Sequence, residues 1–158
     1  MPWTYNLTDG TTTVNLNSGD YDVLYNGFSA PVPRRRMALG GRNLFRHGAD
    51  IMERRFENRR VTLRIKITGS NDDALENDIN AINDLLERAA EYSTNGLGAQ
   101  VQLTRQWNGA TNSVSFNVLE GSLDIPETSI AHVQRNVLTP CILTLTCKPF
   151  AVGSAETI

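Results

Sequence analysis

The first 25 residues alternate hydrophobic and polar side chains, the pattern of β-strands with one buried face. Asp9-Gly10 lies at the centre of the first alternation, and this dipeptide favours a two-residue hairpin turn. Such a turn predicts a hairpin in which the residue numbers of each facing pair add up to 19. The pairs are Trp3 with Leu16, Tyr5 with Val14 and Leu7 with Thr12. A further strand is predicted from the next alternation, ending at Asn26-Gly27; its apolar positions are Tyr21, Val23 and Tyr25.

The centre of the chain predicts one long strand followed by one amphipathic helix. Every second residue from Val61 to Ile67 is apolar, as in a half-buried strand. The sequence Gly69-Ser70-Asn71-Asp72 opens a helix, because the acidic residues that follow favour the positive end of the helix dipole. Asn95-Gly96 marks its predicted end. The apolar stripe, which predicts a helix lying on a sheet, consists of Leu75, Ile79, Ile82, Leu85, Leu86 and Ala89.

The last third of the chain predicts further strands. Asn108-Gly109 predicts a second hairpin, with pairs that sum to 217: Leu103 with Val114, Val101 with Phe116 and Ala99 with Val118. A short strand is predicted over 132–137, and a closing strand contains Cys141 and Cys147. These cysteines would lie about 20 Å apart on one strand face, too far for a disulfide, so we interpret them as small buried side chains. Residues 152–158 are predicted to be a flexible tail.

Residues 34–60 show no periodicity and are predicted to form a long loop or extended arm. Connections within a compact domain are usually much shorter, which indicates a functional segment or one ordered by a partner. Together these patterns predict an α+β fold in a single domain over residues 1–158. Its expected architecture is a mainly antiparallel β-sandwich or barrel, with one long helix packed on it and a long basic loop arm.

Charge is distributed unevenly along the chain. The net charge is −2, but residues 34–66 hold eleven of the fifteen basic residues and three acids, a local balance of +8. Four bases and fourteen acids remain elsewhere, a balance of −10. Thirteen of the basic residues are arginine, which suits planar pairing with carboxylates at interfaces. The candidate interface residues are Arg34, Arg35, Arg36, Arg42, Arg46, Arg54, Arg55 and Arg59.

This arginine-rich segment has three interpretations. It could contact an acidic face of a neighbouring copy, since the rest of the chain is acidic. It could bind nucleic-acid phosphates, although only Phe45 and Phe56 lie among the arginines as possible base-stacking rings. It could also be a solvated charged loop. A small carbohydrate-binding sandwich is a further alternative, but it lacks an exposed aromatic platform if both tryptophans occupy hairpin positions.

The sequence has no arrangement typical of catalysis or metal binding. The two histidines, His47 and His132, have no Cys, Asp or Glu at ligand spacing. Asp72-Asp73 is explained by helix capping, and Gly40-Gly41 lacks the Lys-Ser/Thr of a phosphate-binding loop. We therefore expect no enzyme, cofactor or metal. No apolar run approaches the ~20 residues of a membrane span and no signal-peptide pattern is visible, so synthesis in the cytoplasm is expected.

The order of elements resembles the N-terminal domain of bacteriophage distal tail proteins and, more broadly, the tail-tube family. The resemblance spans nearly the whole chain. It includes an early strand and turn, an aromatic-x-x-Arg approach to a long strand, a strand-to-helix turn and a closing strand. The corresponding segments are Tyr21-Asp22-Val23-Leu24-Tyr25-Asn26-Gly27-Phe28, Phe56-Glu57-Asn58-Arg59-Arg60 with the strand after it, Gly69-Ser70-Asn71-Asp72-Asp73, and Leu143-Thr144-Leu145-Thr146-Cys147-Lys148-Pro149-Phe150-Ala151.

The resemblance implies a structural role in a virion. In that family a β-sandwich flanked by a helix forms hexameric rings around a channel, and a loop arm helps to close them. The implied partners are copies of the same chain and other tail or baseplate proteins, with DNA as transient cargo through the channel. Distal tail proteins are often longer, and their second, carbohydrate-binding-like domain has no counterpart in these residues. A distal hub, a tube subunit and a terminator therefore all stay open.

Overall fold

The computed structural model describes residues 3–42, 49–125 and 136–153, with 37–42 and 49–54 as backbone only. In chain order, the elements are β1 (Trp3–Thr8), β2 (Thr13–Asn15), β3 (Tyr21–Ser29), β4 (Arg35–Arg42), β5 (Ala49–Phe56), β6 (Arg59–Thr68), α1 (Asp72–Asn95), β7 (Gln102–Trp107), β8 (Ser113–Asp124), β9 (Val137–Cys147) and β10 (Val152–Gly153). Every strand pair is antiparallel, and α1 is the one helix in these ranges. The predicted α+β class is confirmed.

Most strands belong to one sheet, in the order β2-β1-β7-β8-β9-β6-β3, with β10 paired to β8. The long strand β8 joins two halves of this path, because its first residues pair with β7 and its later residues pair with β9. The sheet curves so that its two ends approach each other, and the ring of Tyr5 on β1 lies 5.3 Å from that of Phe28 on β3. The predicted strand over 61–67 is confirmed as the middle of β6, with all four apolar side chains fully buried.

Helix α1 lies against this sheet and begins and ends at the predicted signals. The Asn71 side chain accepts a hydrogen bond from the Ala74 N–H at 2.8 Å, which caps the first turn. Gly96 adopts the left-handed conformation (φ 69°) and donates its N–H to the Tyr92 carbonyl, which ends the helix. The predicted stripe is buried, apart from the half-buried Ile79. On β8, a Cβ at Gly121 would lie only 2.9 Å from the Leu86 Cδ2, so glycine permits this close approach.

Both predicted hairpins form, but each register is shifted by two residues. In the first hairpin Leu7 pairs with Val14, so that paired positions sum to 21. The Asp9 carboxylate accepts hydrogen bonds from the N–H groups of Thr11 and Thr12, at 2.9 and 2.7 Å, and thereby stabilises a longer loop than the two-residue turn assumed. In the second hairpin Leu103 pairs with Phe116, a sum of 219. A shift of two residues preserves which side chains face the core.

Strand β3 does not end at Asn26-Gly27, as the sequence predicted, but continues to Ser29. Val23 pairs with Ile65, whereas Phe28 pairs with Leu63, so extra residues of β3 bulge out between these two pairs. Asn26 has a left-handed φ of 53° in this bulge. A Cβ at Gly27 would lie 2.7 Å from the Arg64 carbonyl oxygen, so the bulge requires glycine there. Asn26-Gly27 therefore lies in a β-bulge within β3 and does not end the strand.

The long loop predicted over residues 34–60 is not observed. Strands β4 and β5 pair with each other, from Arg35 with Phe56 at the base to Arg42 with Ala49. They form a two-stranded sheet of their own within the described part of the chain. The expected apolar alternation is absent because a separate hairpin need not present one face to the main core. The predicted loop arm is therefore corrected to two antiparallel strands, over residues 35–42 and 49–56, which we call the hairpin arm.

Both cysteines lie on β9, are buried and form no disulfide, as predicted. Burial raises the pKa of the Cys141 thiol to about 11 and that of the Cys147 thiol to about 12, which keeps both neutral. The strand predicted over 132–137 falls largely outside the described residues, and the observed strand begins at Val137. Val152 and Gly153, placed in the predicted tail, pair with β8, while 154–158 lie outside the described residues.

We expect the variant Asp9→Asn to lose stability in a pH-dependent manner. Hydrogen bonds from Thr12 and Thr11, together with Arg88 at 2.7 Å, lower the pKa of the Asp9 carboxyl from 3.8 to about 2. The ionised carboxylate therefore stabilises the folded state above about pH 4, and this contribution is lost as the pH falls toward 2. Thermal denaturation should show a parent-to-variant difference in Tm at pH 6 that shrinks at pH 2. A difference independent of pH would contradict this account.

Candidate assembly surfaces

The base of the hairpin arm presents a cluster of exposed arginines. The side chains of Arg34, Arg35, Arg36 and Arg55 are exposed, and the Glu57 N–H donates to the Arg34 carbonyl at 2.8 Å, which closes the base. Arg36 and Arg55 are directly opposite each other in the ladder. Four exposed guanidinium groups therefore concentrate positive charge at the hairpin base, which suits contact with an acidic surface.

Aromatic contacts attach this hairpin to the main body of the protein. The Phe56 ring meets the Phe150 ring edge to face, with centroids 5.0 Å apart. The Arg35 guanidinium lies 5.4 Å from the centre of the Phe56 ring, and Pro33 is buried just before the hairpin. Phe150 follows β9 and remains 61% exposed. The hairpin base is thus held beside an exposed aromatic ring, a combination common at protein interfaces.

The other predicted interface arginines fall into three groups. Arg42 ends β4 and Arg54 pairs with Met37 in the ladder. Arg46, like His47 and Phe45, lies outside the described residues. Arg59 differs from the prediction, because it belongs to β6 and is half-buried. Its guanidinium lies 5.6 Å from the centre of the Phe116 ring, and its Nε is buried without a hydrogen-bond partner among the described residues. Arg59 is therefore a poor candidate for an outward contact.

The solvent-facing side of α1 is strongly acidic. Its one basic residue, Arg88, is already paired with the Asp9 carboxylate at 2.7 Å. The exposed acids are Asp72, Asp73, Glu76, Asp84, Glu87 and Glu91; we call them the acidic helix face. The first three of these acids were predicted as helix-start signals, whereas the acidic helix face as a whole was not predicted. The helical period that identified the buried stripe would also have placed most of these acids on the opposite side.

The outer face of the sheet also separates its charges. Glu120 and Asp124 lie on β8, while Arg60 and Arg64 lie on β6, two strands away. Polar and apolar residues of β9 occupy the strand between them, with Thr146 paired to both Glu120 and Arg60. The sign of the charge therefore changes across three adjacent strands. Both groups lie on one face, so this pattern is a local change of charge and not a pair of complementary surfaces.

The exposure of the aromatic side chains bears on the carbohydrate-binding alternative. Trp3 and Trp107 do occupy paired strand positions, with rings edge to face at a centroid distance of 4.8 Å. However, Trp107 is 47% exposed and Tyr25 on β3 is 88% exposed. The expectation that no exposed aromatic side chain would be available is therefore wrong, because a strand position does not by itself bury a ring.

Within the described ranges, no group of three or more His, Cys, Asp or Glu side chains is arranged to hold a metal ion. No helix in those ranges has the length and apolar character needed to cross a bilayer. No protein-family model matches the sequence, and no curated protein matches it closely enough to be a relative.

Proposed function

We propose that this protein is a structural subunit that assembles with copies of itself into a ring, as a component of a bacteriophage-type tail. The observation that carries this proposal is the separation of charge between the arginine-rich hairpin base and the acidic helix face. These two surfaces are complementary, so the hairpin of one copy can contact the helix of the next. Head-to-tail contacts of this kind generate rings when the rotation between copies closes.

The resemblance to phage tail proteins supplies the remaining parts of the proposal. It implies a hexameric ring around a channel, contact with other tail or baseplate proteins, and passage of DNA as transient cargo. Under this proposal the protein acts in the virion, has no catalytic role and needs no cofactor. The edge strands β2 and β3 add a second contact mode, since an unpaired strand edge can be covered by a neighbouring copy.

Reversing the charge of the hairpin base is expected to weaken assembly at least tenfold. The test variant is Arg35→Glu, Arg36→Glu and Arg55→Glu, all exposed positions. Like-charge contact with the acidic helix face would then oppose association, and a tenfold loss corresponds to about 1.4 kcal/mol. Sedimentation velocity at low salt measures the association, and circular dichroism confirms the fold.

The matched control carries the same change of net charge elsewhere on the surface, at Arg64, Lys66 and Lys148, each replaced by glutamate. We expect this control to associate more tightly than the hairpin variant. If both variants assemble as well as the parent, the arginines are not the contact. The sheet edges β2 and β3 would then become the candidate interface.

A further inference from the structure

A groove of about 350 Å³ opens where the two ends of the sheet approach each other. One wall is formed by Trp3 and Tyr5 on β1 and by Arg105 on β7. The other wall is the bulge of β3 over residues 24–27. Asn17 joins the two walls: its side-chain amide donates to the Trp3 carbonyl at 2.7 Å, and its oxygen accepts from the Val23 N–H at 3.0 Å. These two hydrogen bonds connect the two walls of the groove.

Arg105 lines this groove and lies among its aromatic rings. Its guanidinium carbon is 3.7 Å from the centre of the Trp3 ring and 4.5 Å from that of Phe28. The Arg105 Nε is buried without a hydrogen-bond partner, and no carboxylate among the described residues pairs with this guanidinium. Ring contacts stabilise the charge but satisfy none of the five N–H donors. The groove thus contains a positioned cation that lacks an acceptor within the described part of the chain.

We infer that this groove binds an extended acidic segment of a different protein, whose carboxylate pairs with Arg105. An apolar side chain next to that carboxylate would pack on Trp3 and Tyr25, which both line the groove; Tyr25 is 88% exposed. Planar guanidinium pairs well with carboxylate, and a cluster of Trp, Tyr and Arg is the composition found at the most sensitive points of protein interfaces. The charge of Arg105 and the surrounding rings together define the chemistry of this partner.

The shape of the site favours an extended segment over a second copy of this chain. Six of the ten exposed acids that the structure describes in a second copy lie on α1, and a helix about 10 Å in diameter is wider than an extended segment. An extended peptide can enter, and β3 is an edge strand with β6 as its one neighbour in the described sheet. Such an edge can also pair with a peptide backbone. This inference does not depend on the ring proposal.

Tryptophan fluorescence of the full-length protein tests the inference, because Trp3 lines the groove and the other tryptophan of the chain, Trp107, contacts the Trp3 ring. The probes are acetyl-Val-Glu-Val-amide and acetyl-Val-Gln-Val-amide, which match in shape and differ in charge. We expect the glutamate peptide to change the emission and to bind at least tenfold more tightly than the glutamine peptide. Arg105→Met, which keeps an apolar stem against the rings, should remove this preference. Lys148→Met, an exposed control, should retain it.

Equal binding of the two peptides by the parent protein would overturn the inference, whether or not Arg105→Met folds. So would an emission that neither peptide changes at millimolar concentration. Loss of self-association in folded Arg105→Met would assign the groove to a second copy and also overturn it. The hairpin variant Arg35→Glu, Arg36→Glu and Arg55→Glu should still prefer the glutamate peptide. Failure of the ring proposal and failure of this inference are therefore distinguishable.

Discussion

Replacing either Ile65 or Ile82 with aspartate is expected to unfold the protein. Both side chains are completely buried in the core between β6 and α1 and their neighbours. Aspartate at either position would place a charge in an apolar environment without a partner, and would also remove apolar contacts. The expected loss exceeds about 4 kcal/mol, a large part of the 5–15 kcal/mol that usually stabilises a domain. Chemical denaturation followed by circular dichroism measures this loss of unfolding free energy. Variants that are too unstable to fold would be recovered only as insoluble protein.

The matched controls place aspartate one or two residues away along the chain, on the solvent side. Arg64→Asp on β6 and Asn80→Asp on α1 change exposed residues, so each should lose less than about 1 kcal/mol. Soluble and cooperatively folding Ile65→Asp and Ile82→Asp variants would show that the assignment of these two faces to the core is wrong.

The second large effect is expected when two complementary variants are mixed. One variant carries the acidic hairpin base, with Arg35, Arg36 and Arg55 replaced by glutamate. The other carries a basic helix face, with Glu76, Asp84 and Glu87 replaced by lysine; all three are exposed on α1. Each variant alone opposes its own contact by like-charge repulsion, so each should assemble at least tenfold more weakly than the parent. In the mixture, every contact joins opposite charges again, and assembly should recover.

This exchange also constrains the geometry of the ring. The two variants must alternate around it, so only rings with an even number of subunits can close, which includes a hexamer. Sedimentation of the mixture and of each variant alone provides the comparison. Two folded variants that remain monomeric after mixing would show that the hairpin and the acidic helix face do not contact each other.

The local signals in the sequence predicted the elements better than their pairing. Alternation identified β6, and capping signals placed both ends of α1, because these depend on residues close in the chain. The hairpin registers were wrong by two residues, since Asp9 stabilises its loop through side-chain hydrogen bonds that alternation does not reveal. Asn26-Gly27 has the same composition as a hairpin turn, yet its φ and the close approach of Arg64 serve a bulge.

The candidate surfaces were predictable only in part. The charge imbalance was visible in the sequence, but the hairpin within the arm was not, because a sheet outside the main core needs no apolar alternation. Arg59 was grouped with the outward arginines on proximity alone, although the phase of the β6 alternation places it on the side of Val61. Arg105 was missed because its aromatic neighbours come from β1 and β3, which are distant in the chain.

The native mass of the purified protein tests the proposed ring most directly. At low salt and micromolar concentration, we expect one assembly of defined size, a hexamer of the 17.5 kDa subunit, with ring-shaped particles in negative stain. Because charge complementarity contributes to the contact, 1 M salt, which shortens the Debye length to about 3 Å, should weaken it. A protein that stays monomeric at 17.5 kDa at every salt concentration would contradict the account. If that monomer also bound random-sequence duplex DNA with a steep salt dependence, the arginine-rich segment would be a nucleic-acid contact instead.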